Sequence, residues 1–193
     1  LIDCIYSGYS KPLRKKIKSG LVFDFYYNSK ISREFIMSSQ LKPDHVWEPQ
    51  TTRVLEYFST GAKNVIVGGA YFGDQALIIA HQMKQNGGIC HAFEPNQKQI
   101  SLLNQNILNN KINNLKTNKL ALWSENDTIL YLGEKSKNSL KNKSVKPFSL
   151  IDEGNFSTIA EKDKLSYNHS KVTTTTIDNY GKEYNLEEIN LIM

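Results

Sequence analysis

Cysteine, arginine and long apolar runs are all scarce in this chain of 193 residues. Two cysteines, Cys4 and Cys90, are too few for a disulfide framework and have no metal-ligand spacing. No apolar run nears the length that spans a bilayer; Leu77-Ile78-Ile79-Ala80 is typical of the longest. The N-terminal stretch is polar and interrupted, so no signal peptide is expected and a cytoplasmic setting is. His45, His81, His91 and His169 share no short spacing, which argues against a metal site. There is no Gly-x-Ser-x-Gly elbow and no internal repeat. Collagen, coiled coil, secreted knot and membrane protein are therefore excluded. The size and apolar content instead suit one globular domain with its own core.

The basic side is nearly all lysine: of 24 basic residues only Arg14, Arg33 and Arg53 are arginine. The net charge of +5 is uneven. Residues 1–44 hold eight basic and four acidic groups, whereas residues 134–193 hold nine of each. The cluster Lys11, Arg14, Lys15, Lys16 and Lys18 lacks the arginine forks and aromatics of a nucleic-acid reader. It reads as solvated surface lysine, and the richness in Lys and Asn as compositional bias.

Residues 1–44 read as a preface or small β-rich cap outside the core, with Leu21–Tyr27 a strand and Lys30–Met37 returning as its hairpin partner. Pro43-Asp44 breaks the chain. A helix is expected to start at Glu48-Pro49, with Val54, Leu55 and Phe58 as its apolar face and Gly61 as its end. Residues 45–193 form the main domain. Val65-Ile66-Val67 is a buried parallel-type strand. A helix follows from Asp74 to Gln85, with Ala76, Ile79, Ala80 and Met83 on one face. Ile89–Phe93 is a second strand. Asn96 and Gln99 open the next helix as a capping box, and Leu115–Leu122 is a third strand. Strand and helix alternate with short links, the grammar of a doubly wound parallel sheet with helices on both faces. Thr128–Leu132 and Lys171–Ile177 read as further strands, residues 133–170 as a long loop, and Asp178 as a helix cap. Ile189–Met193 is expected to be a buried strand; an apolar run there suggests that both ends of the chain are cuts and the domain is C-terminally truncated.

The chemistry concentrates where Val65-Ile66-Val67 meets Gly68-Gly69-Ala70-Tyr71-Phe72-Gly73-Asp74. Glycines let the backbone turn sharply and let a ligand approach the main chain, and the helix beyond offers unpaired N–H groups. Glu94 lies at the carboxyl end of the second strand, where ligands of such sheets bind. A carboxylate there accepts hydrogen bonds from both hydroxyls of a ribose. The expected ligand is an adenosine-like cofactor with its ribose on Glu94 and its polar end near Gly69–Gly73.

Together with Ala92-Phe93-Glu94-Pro95-Asn96, Leu103-x-x-Asn106, Ala121-Leu122 and Thr175-Thr176-Ile177-Asp178-Asn179, this stretch resembles the FkbM family of class I S-adenosylmethionine-dependent methyltransferases. The resemblance covers about residues 48–193. It implies a Rossmann-like sheet and S-adenosylmethionine as cofactor. Gly68, Gly69, Ala70, Tyr71 and Gly73 would lie along its methionine end, and Glu94 would hold the ribose. Pro95 and Asn96 would sit beside the adenosine, Ala121 near adenine, and Glu48 would close over the cofactor. Two positions depart from the family pattern: Val67 stands where an acid is usual, and Tyr71 where asparagine is. The implied activity is O-methylation of a hydroxyl on a sugar, glycan or other small metabolite. The alternatives are an NAD-dependent oxidoreductase on a Rossmann sheet and a non-enzymatic anion-binding module.

Overall fold

A computed structural model describes residues 2–6, 9–37, 48–134, 158–159 and 168–193. In chain order the N-terminal elements are α1 (Ile2–Tyr6), β1 (Leu13–Lys16), β2 (Val22–Phe25), α2 (Lys30–Met37) and α3 (Pro49–Ser59). Then come β3 (Asn64–Gly68), α4 (Ala76–Met83), β4 (Ile89–Phe93), α5 (Gln97–Asn109), β5 (Leu115–Asn118), β6 (Ala121–Leu122) and β7 (Ile129–Glu134). The last are β8 (Thr158–Ile159), β9 (Asn168–Thr175), α6 (Ile177–Glu183) and β10 (Leu191–Ile192).

Strands β10, β3, β4 and β5 form a parallel sheet in that order. Val65, Ile66 and Val67 are all sealed, as a continuous apolar run requires when both faces of a sheet are covered. Helix α4 is buried nearly all round: Ala76 to Ala80 and Met83 are inside. A helix apolar on every side belongs between other layers. Strand β10 takes the outer edge beside β3, with Gly68 N–H bonded to Met193 O at 2.8 Å. The stretch expected to be buried is therefore only partly so, and Ile192 is 55% exposed.

The N-terminal segment is not outside the core. Phe23, Phe25 and Phe35 are fully buried in the same cluster as Val65, Leu77 and Ala92. Phe35 meets Phe23, Phe25 and Phe72 edge-on at 5.2, 5.1 and 5.7 Å between ring centres. Such pairs add about 0.5–1.5 kcal/mol each beyond the area they bury. The hairpin partner of β2 is β1, and Lys30–Met37 is a helix, not a strand. Ser29 explains the correction: its hydroxyl accepts from Ser32 N–H at 3.1 Å and its carbonyl from Arg33 N–H, which opens a helical turn. Ser32 and Phe35 then fall on the buried face.

The free edge of β2 is closed by side chains. Asn106 accepts from Asp24 N–H at 2.7 Å and donates to Asp24 O at 2.9 Å. One turn on, Asn110 does the same with Val22, 2.7 Å each way. Four residues along a helix rise about 6 Å, close to the span of two residues on a strand. The two amides thus stand in for a neighbouring strand.

Three further readings shift. Helix α3 buries Thr52, Leu55 and Ser59, leaving Val54 and Phe58 exposed, so its inward face is rotated from the one expected. The third strand is broken at Lys119-Leu120: β5 stays in the parallel sheet, while β6 pairs with Thr174-Thr175 in a second sheet of order β6-β9-β7-β8. The cap of α6 is Thr176, whose hydroxyl accepts from Asn179 N–H; Asp178 sits in the first turn. The Pro43-Asp44 break and most of the loop expected over 133–170 lie outside the described residues.

Beneath α6, His91 is sealed, with Nδ1 2.9 Å from Tyr180 Oη and Nε2 3.1 Å from Asn64 Oδ1. The amide oxygen can only accept, so Nε2 carries the proton and Nδ1 accepts from the tyrosine. Burial, reinforced by Lys116, lowers the imidazole pKa to about 4 and keeps the ring neutral. Tyr180→Phe leaves Nδ1 buried without this donor. It should cost about 1–3 kcal/mol, read as a lower urea midpoint; an unchanged midpoint would show that the contact carries no net stability.

Candidate cofactor-binding site

Strands β3 and β4 run parallel with Gly68 opposite Phe93, so the turn after one and the carboxylate after the other meet at one sheet edge. Ala70 N–H bonds to Phe93 O at 2.9 Å and Glu94 N–H to Asn118 O at 3.0 Å. The Glu94 carboxylate is then gripped at both oxygens. Oε2 accepts from Tyr71 N–H and Oε1 from Asn96 N–H, each at 2.8 Å. Burial raises its pKa, and those two N–H groups pull against the rise. Each oxygen keeps a further lone pair.

The turn needs left-handed backbone at Gly69, Tyr71 and Gly73, with φ of 67°, 50° and 92°. For Tyr71 that conformation costs on the order of 1 kcal/mol or more. Its ring is held by its surroundings: the hydroxyl lies 3.1 Å from both Asn28 Oδ1 and Ser29 Oγ, and the ring packs on Phe72. Gly73 is required for packing, since a Cβ there would fall 2.1 Å from Leu77 Cδ1 and 2.5 Å from Leu103 Cδ1.

A cleft of about 320 Å³ opens at this edge. Of the residues singled out from the sequence, Gly68, Gly69, Tyr71, Glu94, Pro95, Asn96 and Ala121 line it. Three do not. Ala70 is buried in the core, Gly73 faces leucines, and Glu48 is exposed at the start of α3 with its carboxylate accepting from the Thr51 hydroxyl. The cleft also takes Ile31, Phe93, Gln99, Leu120, Leu122 and Leu132, which sequence reading did not assign to it. Gln99 was within reach of the pattern, one helical turn after Asn96. Ile31 and Leu132 come from elements far off in the chain, and no local signal marks them.

Asp74, at the foot of α4, is buried off the cleft. Burial raises its pKa to about 7 against the N–H groups of Asp74 itself and Gln75, and the charge of Glu48 adds to the rise. The folded protein thus holds this proton more tightly than the unfolded chain. Stability is lost as pH climbs from the ordinary value of 3.8 to about 7. His91 contributes with the opposite sign below its ordinary 6.5. Asp74→Asn should flatten the decline by up to roughly 4 kcal/mol, measured by urea unfolding of both proteins at pH 4.5 and pH 8. Parallel pH profiles would show that Asp74 is ionised throughout.

The residues fit a nucleoside cofactor. A desolvated carboxylate with two remaining lone pairs suits a ribose diol, and apolar Ile31, Phe93, Leu120 and Leu122 suit the faces of a base. A Cβ at Gly69 would meet nothing within 4 Å, so the turn leaves open space for a ligand against the main chain. Together these define a Rossmann-like nucleoside-binding domain, with the strand ends and glycine turn of the class I methyltransferase fold. The chain belongs to the methyltransferase FkbM domain family, whose sequence profile matches residues 68–193. That family is S-adenosylmethionine-dependent. A comparison with curated proteins finds no match.

Among solved structures, the chain is similar to the Pyrococcus horikoshii TYW2 protein in complex with MeSAdo, at 13% identity over 57% of this chain and 36% of that one, with a TM-score of 0.42. It is similar to a Bacillus cereus O-methyltransferase in complex with SAH, at 22% identity over 39% and 36%, with a TM-score of 0.34. A Pyrococcus abyssi tRNA (uracil-54, C5)-methyltransferase in complex with S-adenosyl-L-homocysteine matches at 14% identity over 56% and 24%, with a TM-score of 0.39. The chain spans about a third or less of the length of these proteins.

Proposed function

We propose that this chain binds S-adenosylmethionine in the Glu94 cleft and serves an O-methyltransferase acting on a hydroxyl of a sugar, glycan or other small metabolite. The observation that carries the cofactor assignment is the Glu94 carboxylate held by Tyr71 and Asn96 N–H at the meeting of the two strand ends. Glu94 accepts the ribose hydroxyls from an orientation fixed in advance, so little ordering remains to be done on binding. Gly68 and Gly69 admit the methionine end, and Pro95, Asn96 and Ala121 flank the adenosine. When bound, the cofactor supplies a methyl group on a sulfonium, already a good leaving group. What remains for the chain is to hold the acceptor in line and to keep water out, which the apolar walls Leu122 and Leu132 favour. The acceptor class rests on family resemblance alone, and the cytoplasmic setting is part of the same proposal. No helix among the described residues is long and apolar enough to cross a membrane.

Two observations weigh against the alternatives. A dinucleotide site needs main-chain N–H groups for pyrophosphate, yet Ala70, in the glycine turn, has its N–H bonded to Phe93 O. The N-terminal basic cluster is partly spent within the molecule: Arg14 makes a two-pronged pair with Asp24 at 2.6 and 2.7 Å. Calorimetric titration with S-adenosylhomocysteine and with NAD separates the readings. S-Adenosylhomocysteine should bind and NAD should not, and Glu94→Ala should weaken binding by at least tenfold. Binding of NAD alone would sink the methyltransferase reading, and an unaffected Glu94→Ala would remove Glu94 from the site.

A further inference from the structure

The sequence places Gln99 three residues after the N-cap Asn96, the position from which a glutamine reaches back to the cap's own N–H. In the structure that N–H is already taken by Glu94 Oε1 at 2.8 Å. Asn96 keeps its half of the arrangement, its Oδ1 accepting from Lys98 and Gln99 N–H at 2.9 and 3.3 Å. Gln99 does not keep its half. The residue is only 3% exposed, and it lines the cleft. Among the described residues its amide makes no side-chain hydrogen bond, and its polar atoms are not among those sealed without a partner, so the amide keeps access to the cleft it lines. A carboxamide that borders the cleft without a protein partner leaves its donor and acceptor for whatever occupies that space.

We propose that Gln99 reads the polar edge of the cofactor's base, and so selects adenine. The inference rests on the cofactor reading given above and adds to it the residue that sets base preference. Asn96 and Glu94 fix the ribose end of the site. Gln99 lies one helical turn further along α5, about 5 Å on, a distance comparable to the reach from ribose to base edge. The apolar residues of the same cleft, Ile31, Leu120 and Leu122, offer the base no hydrogen bonds from their side chains. A carboxamide presents one donor and one acceptor in a plane, which matches the amino group and adjacent ring nitrogen of adenine. Pairing there would satisfy the amide and read the base with one side chain.

The test is a binding cycle on the full chain, with S-adenosylhomocysteine and the analogue lacking only the 6-amino group of its purine as probes. Wild type should bind the amino-bearing ligand about tenfold more tightly. Gln99→Leu should lose that preference while binding the deaminated analogue about as well as wild type does. A Gln99→Met variant repeats the measurement should the leucine protein unfold. Equal binding of the two ligands by wild type, or a preference that survives in Gln99→Leu or Gln99→Met, overturns the assignment. If neither ligand binds wild type, the cofactor reading fails and the role of Gln99 falls with it. That outcome is distinct from the case in which S-adenosylhomocysteine binds and Gln99 is indifferent.

Discussion

Glu94 is bound to the backbone on both sides of the cleft before any ligand arrives. One oxygen holds the glycine turn through Tyr71, the other holds the start of α5 through Asn96, and its own N–H is tied to β5. Loss of the carboxylate would therefore leave two buried N–H groups unpaired as well as removing an acceptor. The same contact dictates what its neighbours do. It supports the left-handed backbone at Tyr71, and it displaces Gln99 from the capping position into the cleft. Site geometry and local stability are thus one problem here.

The Tyr71 ring extends that dependence to the N-terminal segment. Its hydroxyl meets Asn28 and Ser29, the residues that open α2, and α2 places Ile31 on the cleft and Phe35 in the aromatic cluster. A residue that looks like a departure from the family pattern is the link between the glycine turn and the helix covering it. The cleft therefore draws its walls from four sources: the parallel sheet, the N-terminal helix, helix α5 with Gln99, and the second sheet that supplies Leu122 and Leu132.

Much of the parallel sheet was legible because its signals are local. Val65-Ile66-Val67, Ile89–Phe93 and the Asn96 cap each declare themselves within a few residues. Glu94 was legible because topology puts strand ends together. The misreadings share a different cause. Leu115–Leu122 looks continuous because the partner that captures its second half, Thr174-Thr175, lies some fifty residues away. Lys30–Met37 is too short for its period to speak over its Ile and Phe content, and the Ser29–Ser32 pair that starts its helix is a subtle cue. The capping box at Gln99 was a sound local inference, overridden by a carboxylate that folding brings to the same N–H. Val54 and Phe58 were assigned inward because they are apolar, but the phase of α3 is set by what Leu55 packs against.

The abundance of asparagine, unremarkable as composition, has one use that composition cannot show. A strand with one bare edge invites another chain to add to it, and small hairpins are exposed to that hazard. Strand β2 has β1 on one side and the amides of Asn106 and Asn110 on the other, donating and accepting as a strand would. That edge of the hairpin is thereby closed to runaway pairing without a third strand. The seal depends on α5 being folded, so the β2 edge opens to pairing when α5 comes away. Pairing through the β2 edge would then begin from states in which α5 has come away, and not from the native surface.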